Sequence, residues 1–146
     1  MKILKFIYSL FQSNEIEQTD EEVLKILEDG ARKAIEIGKD LNYKLDYSEE
    51  SIKTVDKILN RIKTVFHDKN DLSGFALVYG LYIIEVFERN HQKGYLKKRY
   101  DNLGPDDFPY YRKKNLIFPC LWCYHIIFHN NASDIWSQYQ SAILED

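Results

Sequence analysis

The chain has 146 residues, 45% hydrophobic and 29% charged, with six glycines and three prolines. That is one domain's worth of ordinary globular composition, long enough to bury roughly 68–70% of its unfolded surface, and it excludes collagen-like, low-complexity and wholly disordered chains. Two cysteines are too few for a disulfide scaffold and point to a reducing compartment, and a net charge of −3 makes a poor non-specific binder of nucleic acid, whose phosphates must be neutralised. The unusual quantity is the 14% of aromatic residues, carried by 11 Tyr, 8 Phe and 2 Trp.

The first eleven residues have an apolar cast, but Lys5 splits the run and no small-residue cleavage site follows. A secretory signal needs an unbroken apolar core, so residues 1–13 read as a short amphipathic helix with Ile3, Leu4, Ile7, Leu10 and Phe11 on one stripe. No apolar run is long enough to span a membrane, and the expected location is the cytoplasm.

Thr19 followed by Asp20, Glu21 and Glu22 is a helix start, a hydroxyl cap and then acids at the positive end. Val23, Ile26, Leu27, Ala31, Ala34, Ile35 and Leu41 recur at three- and four-residue steps and predict a helix over 20–41. After an extended connector, Ser48 to Ser51 opens a second helix, whose stripe runs Ile52, Val55, Ile58, Leu59, Ile62 and Phe66. A third, over 71–92, is apolar around nearly its whole circumference and so belongs at the centre. Gly74 and Gly80 would let a neighbouring backbone approach it, and Gly94 would end it.

After Gly94 the period changes. Aromatic-rich runs at 95–100 and 108–112 flank a Gly104-Pro105 turn and read as two strands, with 116–118 a third. Ser133 and Asp134 cap a last helix through Ile135, Trp136, Tyr139, Ala142 and Ile143. The expected fold is α+β in a single domain: three or more N-terminal amphipathic helices (1–13, then 20–93) packed on a small antiparallel sheet or hairpin (94–118), with C-terminal helices over 119–144.

The segment 120–129 holds Cys120, Cys123, His125 and His129, which raises zinc or redox chemistry. In a helix the two thiols fall on one side and the two imidazoles on the other, so the four do not converge on one ion. The strand–helix context of a redox C-x-x-C motif is also missing, and the segment reads as core without metal or cofactor. Glu85, on the apolar third helix, is the best candidate for a perturbed carboxylate, but it has no nucleophile or base beside it, and the expectation is a polar anchor in a protein that is not an enzyme.

Two segments remain as candidate partner-binding surfaces. Residues 15–29 carry seven acids against Lys25 alone, with Glu15, Glu17, Glu21 and Glu22 at the front. Residues 94–114 carry six bases against three acids and interleave them with aromatics; here Tyr100, Asp101, Asp106, Asp107, Tyr110 and Tyr111 are the expected contacts. Tyr and Arg anchor interfaces because they bury much area for little entropy, and the acids in this loop favour a protein over a nucleic acid.

The runs Leu45-Asp46-Tyr47-Ser48-Glu49-Glu50-Ser51-Ile52, Tyr79-Gly80-Leu81-Tyr82-Ile83-Ile84-Glu85-Val86 and Phe118-Pro119, the last leading to Asn130 and Asp134-Ile135-Trp136, resemble motifs of small bacterial α+β domains of the immunity-protein type. Ile84 stands where that pattern has Gly. The resemblance covers about residues 20–144 and implies a cytoplasmic protein that binds and neutralises a toxin by stoichiometric occlusion, with no cofactor. It also implies that the Pro119-led segment is helical. If the toxin has a basic substrate cleft, the acidic segment would imitate its substrate. The alternatives are a phage- or plasmid-encoded inhibitor of a bacterial defence system, and a small ligand-binding or metal-dependent enzyme domain using Glu85 or segment 120–129. The sequence is silent on oligomeric state.

Overall fold

The centre of the molecule is a 22-residue helix whose composition puts it there: from Leu72 to Phe87 nearly every side chain is apolar, and all but a few are buried. In the computed structural model, which describes residues 20–97, 108–129 and 134–145, this is α3 (Lys69–Asn90). Before it come α1 (Asp20–Asp40) and α2 (Ser51–Val65); after it come β1 (Tyr95–Leu96), β2 (Tyr110–Tyr111), β3 (Leu116–Ile117), α4 (Pro119–Phe128) and α5 (Ile135–Leu144). The chain is thus α+β, mostly helical with a small antiparallel sheet. The expected N-terminal helix over 1–13 and the Thr19 and Ser133 caps lie outside the described residues.

The helices pack mainly on α3 rather than on the sheet, because strands of two residues offer too little area for a layer. The closest packings are α3 with α4 and α3 with α1, while α2 touches α3, α4 and α5. Gly80 explains the first of these. A Cβ there would lie 2.3 Å from Cys120 Cα and 2.5 Å from its backbone nitrogen, so only glycine admits the first turn of α4. Against α1, the buried Tyr79 hydroxyl donates to the Ala34 carbonyl at 2.8 Å. Against α2, the Tyr82 hydroxyl shares a 2.7 Å bond with Ser51 Oγ and accepts from Tyr47 N–H at 2.9 Å. Tyr79 and Tyr82 thus combine large apolar area with a satisfied polar tip, which is what a buried tyrosine requires.

Local chemistry sets the ends of the elements. Asp68 accepts from the backbone N–H groups of Asn70 and Asp71 and starts α3. Residues 48–50 form a tight turn ahead of α2, with Ser48 Oγ accepting from Ser51 N–H. Asp134 caps α5 by accepting from Ser137 N–H at 2.6 Å, and Asp56 of α2 accepts from the next two free amides, Ile135 and Trp136. Burial raises the Asp56 carboxyl above its usual range, against those two amide bonds.

Some boundaries differ from the sequence reading: the strands expected over 108–112 and 116–118 are only two residues each, Tyr110–Tyr111 and Leu116–Ile117. Gly94 does not end α3; the helix stops at Asn90, with His91 extended and its N–H returned to the Phe87 carbonyl. Gly94 is required for another reason. A Cβ there would lie 2.4 Å from the Tyr111 carbonyl oxygen, so glycine lets β2 pass against the chain leaving the helix.

Tyr47 departs from ordinary backbone geometry. Its φ of 64° lies in the left-handed region, which costs a bulky residue on the order of 1 kcal/mol. Several contacts hold it there: the bond to the Tyr82 hydroxyl, a bond from Asn90 Nδ2 to its carbonyl, and its ring stacked on Tyr82 at 5.4 Å.

Candidate functional site

The three strands pair in the order β1-β2-β3, both pairs antiparallel. The register sets Tyr95 opposite Tyr111 and Tyr111 opposite Leu116, so these three form one row across the sheet; Leu96, Tyr110 and Ile117 form the other. Alternate residues of a strand face opposite sides. The Leu96–Tyr110–Ile117 row turns to the core. The Tyr95–Tyr111–Leu116 row turns to solvent, and its members are 52%, 42% and 46% exposed.

The buried row is fixed by a polar anchor. Tyr110 is fully buried, and its hydroxyl donates to Glu88 Oε2 of α3 at 2.5 Å; the same oxygen accepts from Gly94 N–H at 2.8 Å. Burial, reinforced by the Glu88 carboxylate, raises the Tyr110 hydroxyl far above a free phenol, so it stays a donor. One carboxylate therefore ties Tyr110 of β2 and Gly94, the residue leading into β1, to the central helix.

The exposed row has a basic border. Lys97 follows Tyr95 by two residues and shares its face by alternation. Lys113 and Lys114 form the loop between β2 and β3, closed by Arg112 N–H on the Asn115 carbonyl at 2.8 Å. All three lysines are exposed, and none is in an ion pair among the described residues. The Arg112 guanidinium lies 4.4 Å from the centre of the Phe87 ring.

The structure divides the expected contact residues. Tyr111 lies on the exposed row. Tyr110 does not: it is sealed in the core and its hydroxyl is committed to Glu88, so it is an anchor of the sheet and not a surface contact, contrary to the sequence reading. Glu21 and Glu22 are exposed in the first turn of α1. Tyr100, Asp101, Asp106, Asp107, Glu15 and Glu17 lie outside the described residues. The sequence reading did not single out Tyr95 and Leu116 as a surface, because only the register places them beside Tyr111.

The other chemical candidates are placed as follows. The segment over 119–128 is helical, and Cys120 and Cys123 are buried free thiols. Burial pushes the Cys123 thiol well up, the opposite of what a nucleophilic or redox cysteine needs. Cys120 Sγ is 3.5 Å from the Leu77 carbonyl, while His129 is exposed just past the end of the helix, its ring 5.2 Å from that of His125. Among the described residues no group of three or more His, Cys, Asp or Glu is placed to hold a metal ion. Glu85 pairs with Arg89 at 2.9 Å, one turn along the same helix, and the Arg89 guanidinium covers the Tyr47 ring at 3.6 Å. Glu85 thus anchors the α1–α2 connector through Arg89.

Glu49 is a second anchor that the sequence reading missed. It accepts from Tyr139 Oη of α5 at 2.9 Å and from His91 Nε2 at 3.0 Å, joining three elements. Burial raises its carboxyl, but the His91 and Tyr139 bonds outweigh that and hold it below its usual range. No described helix is long and apolar enough to cross a membrane. Comparison of the chain with protein-family models, with curated proteins and with solved structures returns no match.

Proposed function

We propose that the chain is a cytoplasmic, non-catalytic protein of the immunity type, which binds a cognate toxin one to one and neutralises it by occlusion. The observation that carries this reading is the Tyr95–Tyr111–Leu116 row. It sets two tyrosines and a leucine side by side, each about half exposed, on a sheet face anchored to the central helix through Glu88. Contiguous exposed aromatic and aliphatic residues inside a polar border are the usual make-up of a protein-binding patch. The rigid backing matters because a preformed face loses little entropy on docking. The acidic start of α1, with Glu21 and Glu22 exposed, is proposed as a second contact.

The test is retention of a partner by the tagged chain, from its native host grown beside competing cells, with intact-mass analysis of what is retained. The expected result is one protein at 1:1, toxic when expressed alone and harmless when co-expressed with this chain. A Tyr95→Ser/Tyr111→Ser variant with unchanged melting should lose both retention and protection. A chain recovered alone, or retention indifferent to the double substitution, overturns the reading.

A further inference from the structure

Among the described residues, the charged border of the exposed row is basic. Lys97 lies on the Tyr95 side, and Lys113 and Lys114 lie at the hairpin end beside Tyr111 and Leu116. The nearest carboxylate in the sheet's anchoring, Glu88, is turned inward and spent on Tyr110 and Gly94. Among the described residues the three ammonium groups are in no ion pair, although the chain as a whole is acidic at −3. We propose that this face docks on a protein surface in which an apolar socket is bordered by carboxylates, with Tyr95, Tyr111 and Leu116 filling the socket and Lys97, Lys113 and Lys114 meeting the border. This rests on the protein-binding reading above and names the chemistry of the partner at that same face.

Two other occupants fit less well. A second copy of this chain would bring one lysine border against another, and like charges across an interface oppose it. A single-stranded nucleic acid would use aromatic rings as stacking platforms. Here the Tyr95 and Tyr111 rings are inclined at 49° with centroids 6.4 Å apart, and the third member of the row, Leu116, has no π-face. An inclined pair beside a leucine offers apolar area without a continuous stacking platform, which suits an apolar socket.

The experiment compares the parent chain with Lys97→Gln/Lys113→Gln/Lys114→Gln and with Tyr95→Ser/Tyr111→Ser. The probes are the protein that the parent retains from its host and, separately, a fluorescein-labelled oligothymidylate twelve residues long, over a range of salt. All five positions are exposed, and equal melting temperatures check that the variants fold; Lys113→Gln alone, in the hairpin loop, serves if the triple variant melts lower. Charge at the border of an interface acts mainly on association. The triple variant should therefore associate about ten-fold more slowly at low salt and lose most of the parent's salt dependence, since charges are screened beyond about 10 Å at 0.1 M salt. Association by the triple variant at the parent's rate and salt slope overturns the carboxylate border while leaving protein docking intact. Oligothymidylate binding that is lost in the tyrosine variant overturns both, as does a parent chain that retains no protein.

Discussion

Gly80→Ala tests the closest backbone contact in the fold. The new Cβ would sit 2.3 Å from Cys120 Cα and 2.5 Å from Cys120 N, both backbone atoms, so no side-chain rotation relieves the overlap. Relief requires α4 to move away from α3 at its first turn, where Pro119, Cys120 and Cys123 are buried. Overpacking of this kind costs about 1–3 kcal/mol, towards the upper end when backbone must shift. Against it stands the gain of about 1 kcal/mol from replacing glycine by alanine within a helix. The clash wins, with a net loss of about 2 kcal/mol. For a chain of this length that lowers the melting temperature by about 4–8 °C. Gly30→Ala supplies the contrast. Its Cβ would lie 2.4 Å from Leu81 Cδ1, the end of a rotatable side chain that can give way, so clash and helix gain roughly cancel and stability stays within about 1 kcal/mol of the parent. Urea and thermal unfolding followed by far-ultraviolet circular dichroism measure both. If Gly80→Ala is as stable as Gly30→Ala, the α3–α4 crossing described here is wrong.

Three further outcomes follow from the anchors. Tyr110→Phe removes the hydroxyl that donates to the Glu88 carboxylate and should cost about 1.5–3 kcal/mol, with amide hydrogen exchange at Gly94 and Tyr111 rising first; unchanged exchange there would deny the anchor its role. Glu49 has a folded pKa below its ordinary 4.5, so the stability it contributes is present above that value and is lost as pH falls through the lower, folded value. Glu49→Gln should therefore flatten the loss of stability below about pH 4.5, measured by urea unfolding at successive pH values, and an acid limb identical to the parent's contradicts the assignment. Cys120 and Cys123 are fully buried, and a thiol-specific reagent should modify them only as fast as the chain unfolds; rapid labelling of the native protein would show that α4 is not seated on α3.

Much of the helical frame was legible, for reasons particular to each element. The stripe Ile52, Val55, Ile58, Leu59 and Ile62 of α2 is buried as its spacing requires, and α3 is central because apolar residues surround its axis. Gly80 was legible as a point of close approach; its partner, Cys120, was not, because the two lie forty residues apart in sequence. Gly94 carried a local signal, glycine soon after a helix, that coincided with a non-local need for space beside β2. Glu85 drew notice as an acid on an apolar helix, yet Glu88, one turn on and less conspicuous, holds the sheet.

The candidate site was only half legible, and the reason is parity. Tyr110 and Tyr111 are adjacent and identical, and strand geometry dictates that one faces the core and one faces water without saying which. A longer strand would settle the phase by its alternation, but β2 has two residues and no alternation to read. The choice is made by a carboxylate more than twenty positions away: Glu88 accepts the Tyr110 hydroxyl, which draws that ring inward and turns Tyr111 out beside Tyr95 and Leu116. Burial of the Tyr110 ring in one row with Leu96 and Ile117, held by that hydrogen bond, thus leaves Tyr111 on the exposed row. It follows that Tyr110 and Tyr111 should respond oppositely to the same change: loss of the Tyr110 hydroxyl weakens the fold, and loss of the Tyr111 ring leaves the fold intact and weakens docking.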